Sequence, residues 1–339
     1  MKLSDFDYDL PRHFIAQHPL EPRDSSRLLV LDRHDGNISH RSFHDMLEYL
    51  NPGDTLVFNN SRVIPARLKG TIGKGEKHAE ILLLKQLDKR TWEALVRPGR
   101  RLPKGAYVRL SSGEGIETKA TITGRREDGT RVIEFSRPEA LEKMCEMPLP
   151  PYIKARLEDR ERYQTVYSQI KGSAAAPTAG LHFTLELLQK IRDKGVNTVF
   201  VTLHIGLDTF QSVRTEDPSH HRIHTEYGMI SAETADHLNA TKQAGKRVIA
   251  VGTTSVRLIE AASQSGQAAS FNDQVGLFVL PGYRFKMTNA MLTNFHLPRS
   301  TLLMMVSAFA GRETILRCYE EAKRERYRFY SFGDAMLIL

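Results

Sequence analysis

The chain has 339 residues, 40% of them hydrophobic and 26% charged, which excludes a disordered or fibrous protein and predicts more than one core. No apolar run reaches the roughly 18 residues that span a bilayer, and the acidic start MKLSDFDYDLP lacks the features of a secretory leader. Lysine and arginine exceed aspartate and glutamate by 48 to 40, a formal charge of +8, which favours a polyanionic partner if that charge is clustered.

The two cysteines, Cys145 and Cys318, lie in different halves of the chain and suggest no disulfide framework. A cytoplasmic location is expected, with no membrane contact.

In chain order, DTLVFNNSRV (54–63) predicts an apolar strand that ends in polar residues. From 66 to 150 the pattern changes. ARLKGTI, AEILLLKQL, TWEALVRPG, AYVRL, KATITGR and TRVIEFS are short runs rich in β-branched and aromatic residues, divided by Gly and Pro turns. They predict a small antiparallel β-barrel domain, followed by a short helix at PEALEKMCEM and a stiff extended linker at PLPPYI.

Beyond the linker, strands alternate with helices. LHFTLELLQKIRDKG predicts a helix stopped at Gly195, VNTVFVTLHIGL a strand and SAETADHLNATKQAGK a helix. RVIAVGTTS then predicts a strand and VRLIEAASQSG a helix. The expected fold is α/β. Residues 1–65 and 151–339 form a mixed, largely parallel sheet domain with helices, into which residues 66–150 are inserted as the barrel.

Open α/β sheets bind ligands beyond the carboxyl ends of their strands. Four stretches fit that position: FNNSR (58–62), the segment around HIGLDTF (204–210), VGTTSVR (251–257) and TNFHLPRS (293–300). In VGTTSVR, Thr253, Thr254 and Ser255 can cap a helix whose free N–H groups hold an anion; capping without a ligand is the plain alternative. No Walker loop and no G-x-G-x-x-G follows a strand, which argues against a nicotinamide cofactor.

AAAPTAGLHFT (174–184) places small residues around Pro177 just before His182. Proline excludes a helix interior, so a tight turn with open backbone is expected. In HHRIHTEY (220–227) an extended chain would put His220, Arg222, His224 and Glu226 on one face. The arginine argues against zinc, and an acid/base pair of His224 and Glu226 is the better functional reading. Basic runs at RPGRRLPKG, GRREDGTR and KRERYRFY are candidates for phosphate contact, the last with interleaved aromatics that suit base stacking. A solvated helix face explains that last run equally well.

Taken together, HPLEPRDSSRLLVL, FNNSRVIPARL, PTAGLHFT, HIGLDTF, HTEY, VGTTSVRLIE, TNFHLPRSTLLMMVSAFAG and the final YSFGDAMLIL resemble the S-adenosylmethionine:tRNA ribosyltransferase-isomerase family of queuosine biosynthesis. The resemblance spans the chain and is least distinctive over 66–150. It implies an α/β domain with a β-barrel. It also implies transfer of the ribosyl portion of S-adenosylmethionine to 7-aminomethyl-7-deazaguanine at the tRNA wobble position, giving epoxyqueuosine with loss of adenine and methionine.

That chemistry needs a base for the C5′ hydrogens and a donor for the departing adenine. His182, Glu226, His204 and His224 are the expected acid/base groups, His182 and Glu226 foremost. Thr178, Ala179, Gly180, Gly206, Asp208, Thr253, Thr254 and Ser255 are expected to bind S-adenosylmethionine. Arg62, Arg100, Arg101, Arg299, Arg326 and Arg328 are expected on the tRNA. No metal or other cofactor is expected, since S-adenosylmethionine is consumed as a substrate, and the chain is expected to be a monomer. A metal-dependent hydrolase built on His220, His221 and His224, and a non-catalytic RNA-binding protein, are the rival readings.

Overall fold

A computed structural model describes residues 1–339 except 113–114, 127–128, 207–212, 214, 222 and 224. Strands β1 (Arg27–Leu31) and β2 (Ile38–Ser42) open the chain, followed by β3 (Thr55–Asn59) and the short β4 (Ser61–Val63). Six strands come next: β5 (Arg67–Ile72), β6 (His78–Gln86), β7 (Thr91–Arg97), β8 (Tyr107–Ser111), β9 (Glu117–Arg125) and β10 (Arg131–Phe135). One helical turn, α1 (Leu141–Met144), ends this part.

The remainder holds β11 (Ile170–Ser173), α2 (Leu185–Asp193), β12 (Asn197–Leu203), β13 (Glu226–Ile230), α3 (Ala232–Gln243) and β14 (Val248–Val251). It continues through α4 (Thr253–Ala262), β15 (Phe271–Val275), β16 (Ala290–Asn294), α5 (Thr301–Ala310), α6 (Arg312–Arg324) and β17 (Ala335–Ile338). Two compact units result: Met1–Arg62 with Pro150–Leu339, and Val63–Leu149.

In the larger unit nine strands form one sheet in the order β15-β13-β12-β3-β14-β16-β17-β1-β2. The four central strands, β12, β3, β14 and β16, run parallel, while β13, β17 and β1 run against them. The sheet is therefore mixed, with its parallel part in the middle, where both faces are covered.

The two-residue alternation of a strand explains that cover. Leu56, Phe58, Ile249, Val251 and Leu292 point to one core with Leu187 and Ile191 of α2. Val57, Val248, Ala250 and Met291 point to the other, against Leu238, Leu258, Val306 and Ile315 of α3 to α6. No described helix is long and apolar enough to cross a membrane.

The smaller unit is a closed antiparallel barrel, ordered β10-β7-β6-β5-β8-β9. Ala79, Ile81 and Leu83 alternate inward along β6, as Ala120 and Ile122 do along β9.

Candidate active site

The parallel strands end at one edge of the sheet, and a pocket opens there with about 660 Å³ of empty space, open solvent at its mouth included. Ile205 follows β12, Gly252 to Thr254 follow β14, and Thr293 to Leu297 end and follow β16. Ala176 to Ala179 come from the small-residue turn, which folds into a 3-10 turn over Thr178–His182. Tyr152, Tyr330 and Ser331 complete the aromatic side. Among the described residues, none that lines it is an acid, a lysine or an arginine.

Two helices start at this pocket, and they differ. Ser300 caps α5 by accepting the Leu303 N–H at 3.1 Å. The cap of α4 is Gly252 at φ +87°, with no side-chain hydrogen bond, so the first-turn amides of α4 remain for an anion. Ser255 corrects the expectation of a hydroxyl cap: its Oγ donates back to the Val251 carbonyl at 2.8 Å, and it does not line the pocket. Thr253 and Thr254 do line it. Below them, Asn59 Nδ2 donates to the Leu203 carbonyl at 3.0 Å and to Thr254 Oγ1 at 3.4 Å, tying the ends of β3 and β12 to α4.

A chain of hydrogen bonds runs out through the wall. Thr178 Oγ1 donates to Asn294 Oδ1 at 2.8 Å, and Asn294 Nδ2 meets His182 Nε2 at 3.3 Å. An amide N–H only donates, so Nε2 accepts. The proton then sits on Nδ1, which donates to Ser26 Oγ at 2.8 Å. The ring lies on Phe43 with centroids 4.9 Å apart. Burial, reinforced by the positive Arg328 and Arg23, pushes its pKa down to about 3.

His182 thus stands behind the pocket as a neutral imidazole with both nitrogens engaged. Those bonds do not suit the expected proton acceptor.

His296 was not among the expected site residues, yet it is the histidine that lines the pocket. Its Nε2 lies 2.8 Å from Thr293 Oγ1, and burial pushes its pKa down to about 3. Asn294, Tyr152 and Tyr330 were missed as well. Tyr330 adopts φ +70°, a conformation costly for a bulky residue, and its ring lies 4.8 Å from that of Tyr152.

Glu226 is buried in an ion pair with Arg257, Nη1 to Oε2 2.5 Å, and its Oε1 accepts the Gly206 N–H at 2.8 Å. A carboxylate held this way ties the strand end after Ile205 to α4. Gly206 serves that bond and does not line the pocket. Gly180 is also absent from the lining. A Cβ there would stand 1.9 Å from the Tyr167 hydroxyl, so the glycine makes room for a tyrosine and not for a ligand.

His204 is half-buried and stacks on Tyr227 at 6.2 Å. Its Nδ1 has no partner among the described residues, and burial lowers its pKa. Asp208 and His224 lie outside the described residues. His220 closes a 3-10 turn, Pro218–His220, instead of joining an extended row. Among the described residues no three His, Cys, Asp or Glu side chains converge on a metal geometry.

The expected RNA-facing arginines fall in different settings. Arg100 and Arg101 are exposed on the turn Gly99–Arg101 of the barrel. Arg62 pairs with Glu161, Arg299 pairs with Asp7, and Arg326 is exposed. Arg328 is partly buried, with Nε 3.7 Å from Asp334. The aromatics of KRERYRFY are not a stacking surface: Tyr327, Phe329 and Tyr330 are all buried.

A family model described as queuosine biosynthesis protein matches residues 3–338. The chain is 52% identical to the S-adenosylmethionine:tRNA ribosyltransferase-isomerase of Clostridioides difficile (strain 630), over the whole of both chains. It is equally identical, again end to end, to the protein of that name from Dehalococcoides mccartyi (strain CBDB1). A crystal structure of S-adenosylmethionine tRNA ribosyltransferase from Thermotoga maritima is 39% identical, covers 99% of this chain and 100% of its own, and superposes with a TM-score of 0.58. With its motifs, its sheet-plus-barrel fold and this match from end to end, the chain belongs to the queuosine biosynthesis protein family.

Proposed function

We propose that this chain binds S-adenosylmethionine in the carboxyl-edge pocket and transfers its ribosyl group, with isomerisation, to 7-aminomethyl-7-deazaguanine at the wobble position of tRNA. Epoxyqueuosine-tRNA, adenine and methionine are the products. One observation carries the assignment of the pocket: among the described residues it is lined by hydroxyls, an amide, an imidazole and aromatic rings, with no ionised side chain, beside the uncapped start of α4.

That lining suits a ligand bearing its own positive and negative charge. The methionine carboxylate fits the α4 amides. The sulfonium fits the faces of Tyr152 and Tyr330, a contact worth about 0.5–2 kcal/mol.

The steps balance without redox change. A proton leaves C5′, activated by the sulfonium, and the adenine bond breaks as a ring nitrogen is protonated. The RNA amine attacks the sugar, and epoxide closure expels methionine. No step calls for a resident metal or redox cofactor. Asn294 and His296 offer hydrogen bonds to the ligand, while His182 and Glu226 act as positioning residues through Asn294 and Gly206.

The test is release of adenine from S-adenosylmethionine with tRNA that carries or lacks the aminomethyl base. Release that requires the modified base supports the reading, and its absence with either tRNA refutes it.

A further inference from the structure

A second, smaller cavity lies on the far side of His182. Its walls include Arg23, Ser26, Arg162, His182, Arg328 and Ser331, and it holds about 270 Å³ of empty space. Ser331 also lines the larger pocket, so the two cavities adjoin. Three guanidiniums around so small a space need an explanation, because like charges brought together out of water repel.

Their anchors are mostly backbone carbonyls. Arg23 Nη1 donates to the carbonyls of Gln164 at 2.8 Å and Leu181 at 3.3 Å, and Nη2 to that of Glu161 at 2.8 Å. Arg328 Nη1 donates to the His18 carbonyl at 3.1 Å. Arg162 donates to the Leu20 carbonyl and pairs with Glu21, whose side chain is 76% exposed. The buried carboxylate of Asp334 lies 3.7 Å from Arg328 Nε and also accepts the Arg27 and Arg328 backbone N–H groups at 3.1 and 2.8 Å. His182 is neutral and supplies no counter-charge. Three guanidiniums thus face one buried carboxylate, Asp334 beside Arg328, and the exposed Glu21 on Arg162, while Arg23 is held by carbonyls; its pKa is lowered first by burial and then by Arg162, with Glu21, Asp159 and Glu161 acting the other way.

The geometry points to an oxyanion site here, and specifically to a pocket for one phosphodiester group of the substrate RNA beside the nucleotide being modified. This rests on the reading of the chain as a tRNA-modifying enzyme. Guanidinium forks match phosphate oxygens in geometry and charge. The alternative anion, the carboxylate of S-adenosylmethionine, already has the α4 amides across the wall.

The experiment measures binding of an anticodon stem-loop and of S-adenosylmethionine to the full chain as salt is varied. Arg162→Gln is the main variant, because Arg23 holds three backbone carbonyls and Arg328 lies against the buried Asp334. The expected result is RNA affinity lowered roughly three- to tenfold, with a log–log salt slope reduced by about 0.7–0.9 and S-adenosylmethionine affinity unchanged. Arg162→Lys should recover most of the slope.

A second measurement uses the wild-type chain alone. Inorganic phosphate at constant ionic strength should displace the stem-loop more effectively than chloride does. An unchanged slope in a folded Arg162→Gln protein, or phosphate no more effective than chloride, overturns the site. Loss of S-adenosylmethionine affinity with RNA binding intact would make it a carboxylate site instead. Wild-type protein that neither binds the stem-loop nor releases adenine would refute the functional reading itself.

Discussion

His182 shows how one side chain changes meaning once its neighbours are known. In the sequence it is a lone histidine after a glycine turn. In the fold its Nε2 accepts from Asn294, which in turn holds Thr178 at the pocket wall. Asn294→Asp should set a carboxylate against that acceptor nitrogen and shift the His182 titration at least tenfold toward protonation. ¹⁵N NMR of the imidazole reads this directly. A wild-type ring carrying its proton on Nε2, or a titration unmoved in the variant, would remove His182 from the chain of bonds. Acid stability offers a second prediction. His182 and His296 are pushed down to about 3 by burial, against about 6.5 in an unfolded chain. Below pH 6.5 the unfolded state binds the extra protons, so stability is complete above that pH and is lost as pH falls toward 3. Each imidazole adds a slope of up to about 1.4 kcal/mol per pH unit. His296→Gln should lessen the loss between pH 6 and 4 by about one proton in denaturant titrations, and an unchanged slope would show that the ring is not buried neutral.

The start of α4 is the element on which the pocket depends. Gly252 holds φ +87° and turns the chain from β14 into α4, where Gly252, Thr253 and Thr254 line the cavity. Gly252→Ala should cost about 1–2 kcal/mol of stability from the left-handed backbone, and it should weaken S-adenosylmethionine binding more than Thr254→Val, which removes one hydrogen-bonding group worth about 0.5–1.5 kcal/mol. Calorimetry that ranks the two variants the other way would move the ligand anchor from the amides to the hydroxyl. The strand ends that build the site were legible in the sequence, because an apolar run that turns abruptly polar, as at Phe58–Asn59 or Val251–Gly252, marks a carboxyl edge. Individual roles were not. Gly180 and Gly206 are expected at S-adenosylmethionine, but the first accommodates Tyr167 and the second donates to Glu226. Both partners are distant in sequence, and no local spacing reveals them. His296 was passed over for the same reason, since only the meeting of β16 with the starts of α4 and α5 turns it into a wall of the pocket.

Over the whole molecule, the alternation of strand and helix was enough for the α/β unit, and the even spacing of short strands and turns was enough for the barrel. The reversed directions of β13, β17 and β1 were not legible, because pairing over hundreds of residues leaves no trace in local periodicity. The basic runs show the same limit. Tyr327 and Phe329 alternate into the core, while Arg324, Glu325 and Arg326 stay exposed to solvent. Charge that is merely solvated and charge that meets RNA differ in one measurable respect, namely how many counterions leave on binding. Arg100 and Arg101 are exposed on the turn Gly99–Arg101 of the barrel unit. If both meet phosphates, Arg100→Ala with Arg101→Ala should lower the log–log salt slope for stem-loop binding by about 1.4, two contacts at roughly 0.7 each for single-stranded RNA. S-adenosylmethionine affinity should stay at its wild-type value. Combining this double change with Arg162→Gln makes the test sharper, because the slope counts phosphates. Decrements that add mean separate phosphates of one bound RNA, whereas a slope unchanged by the barrel pair alone means that the turn Gly99–Arg101 is only solvated.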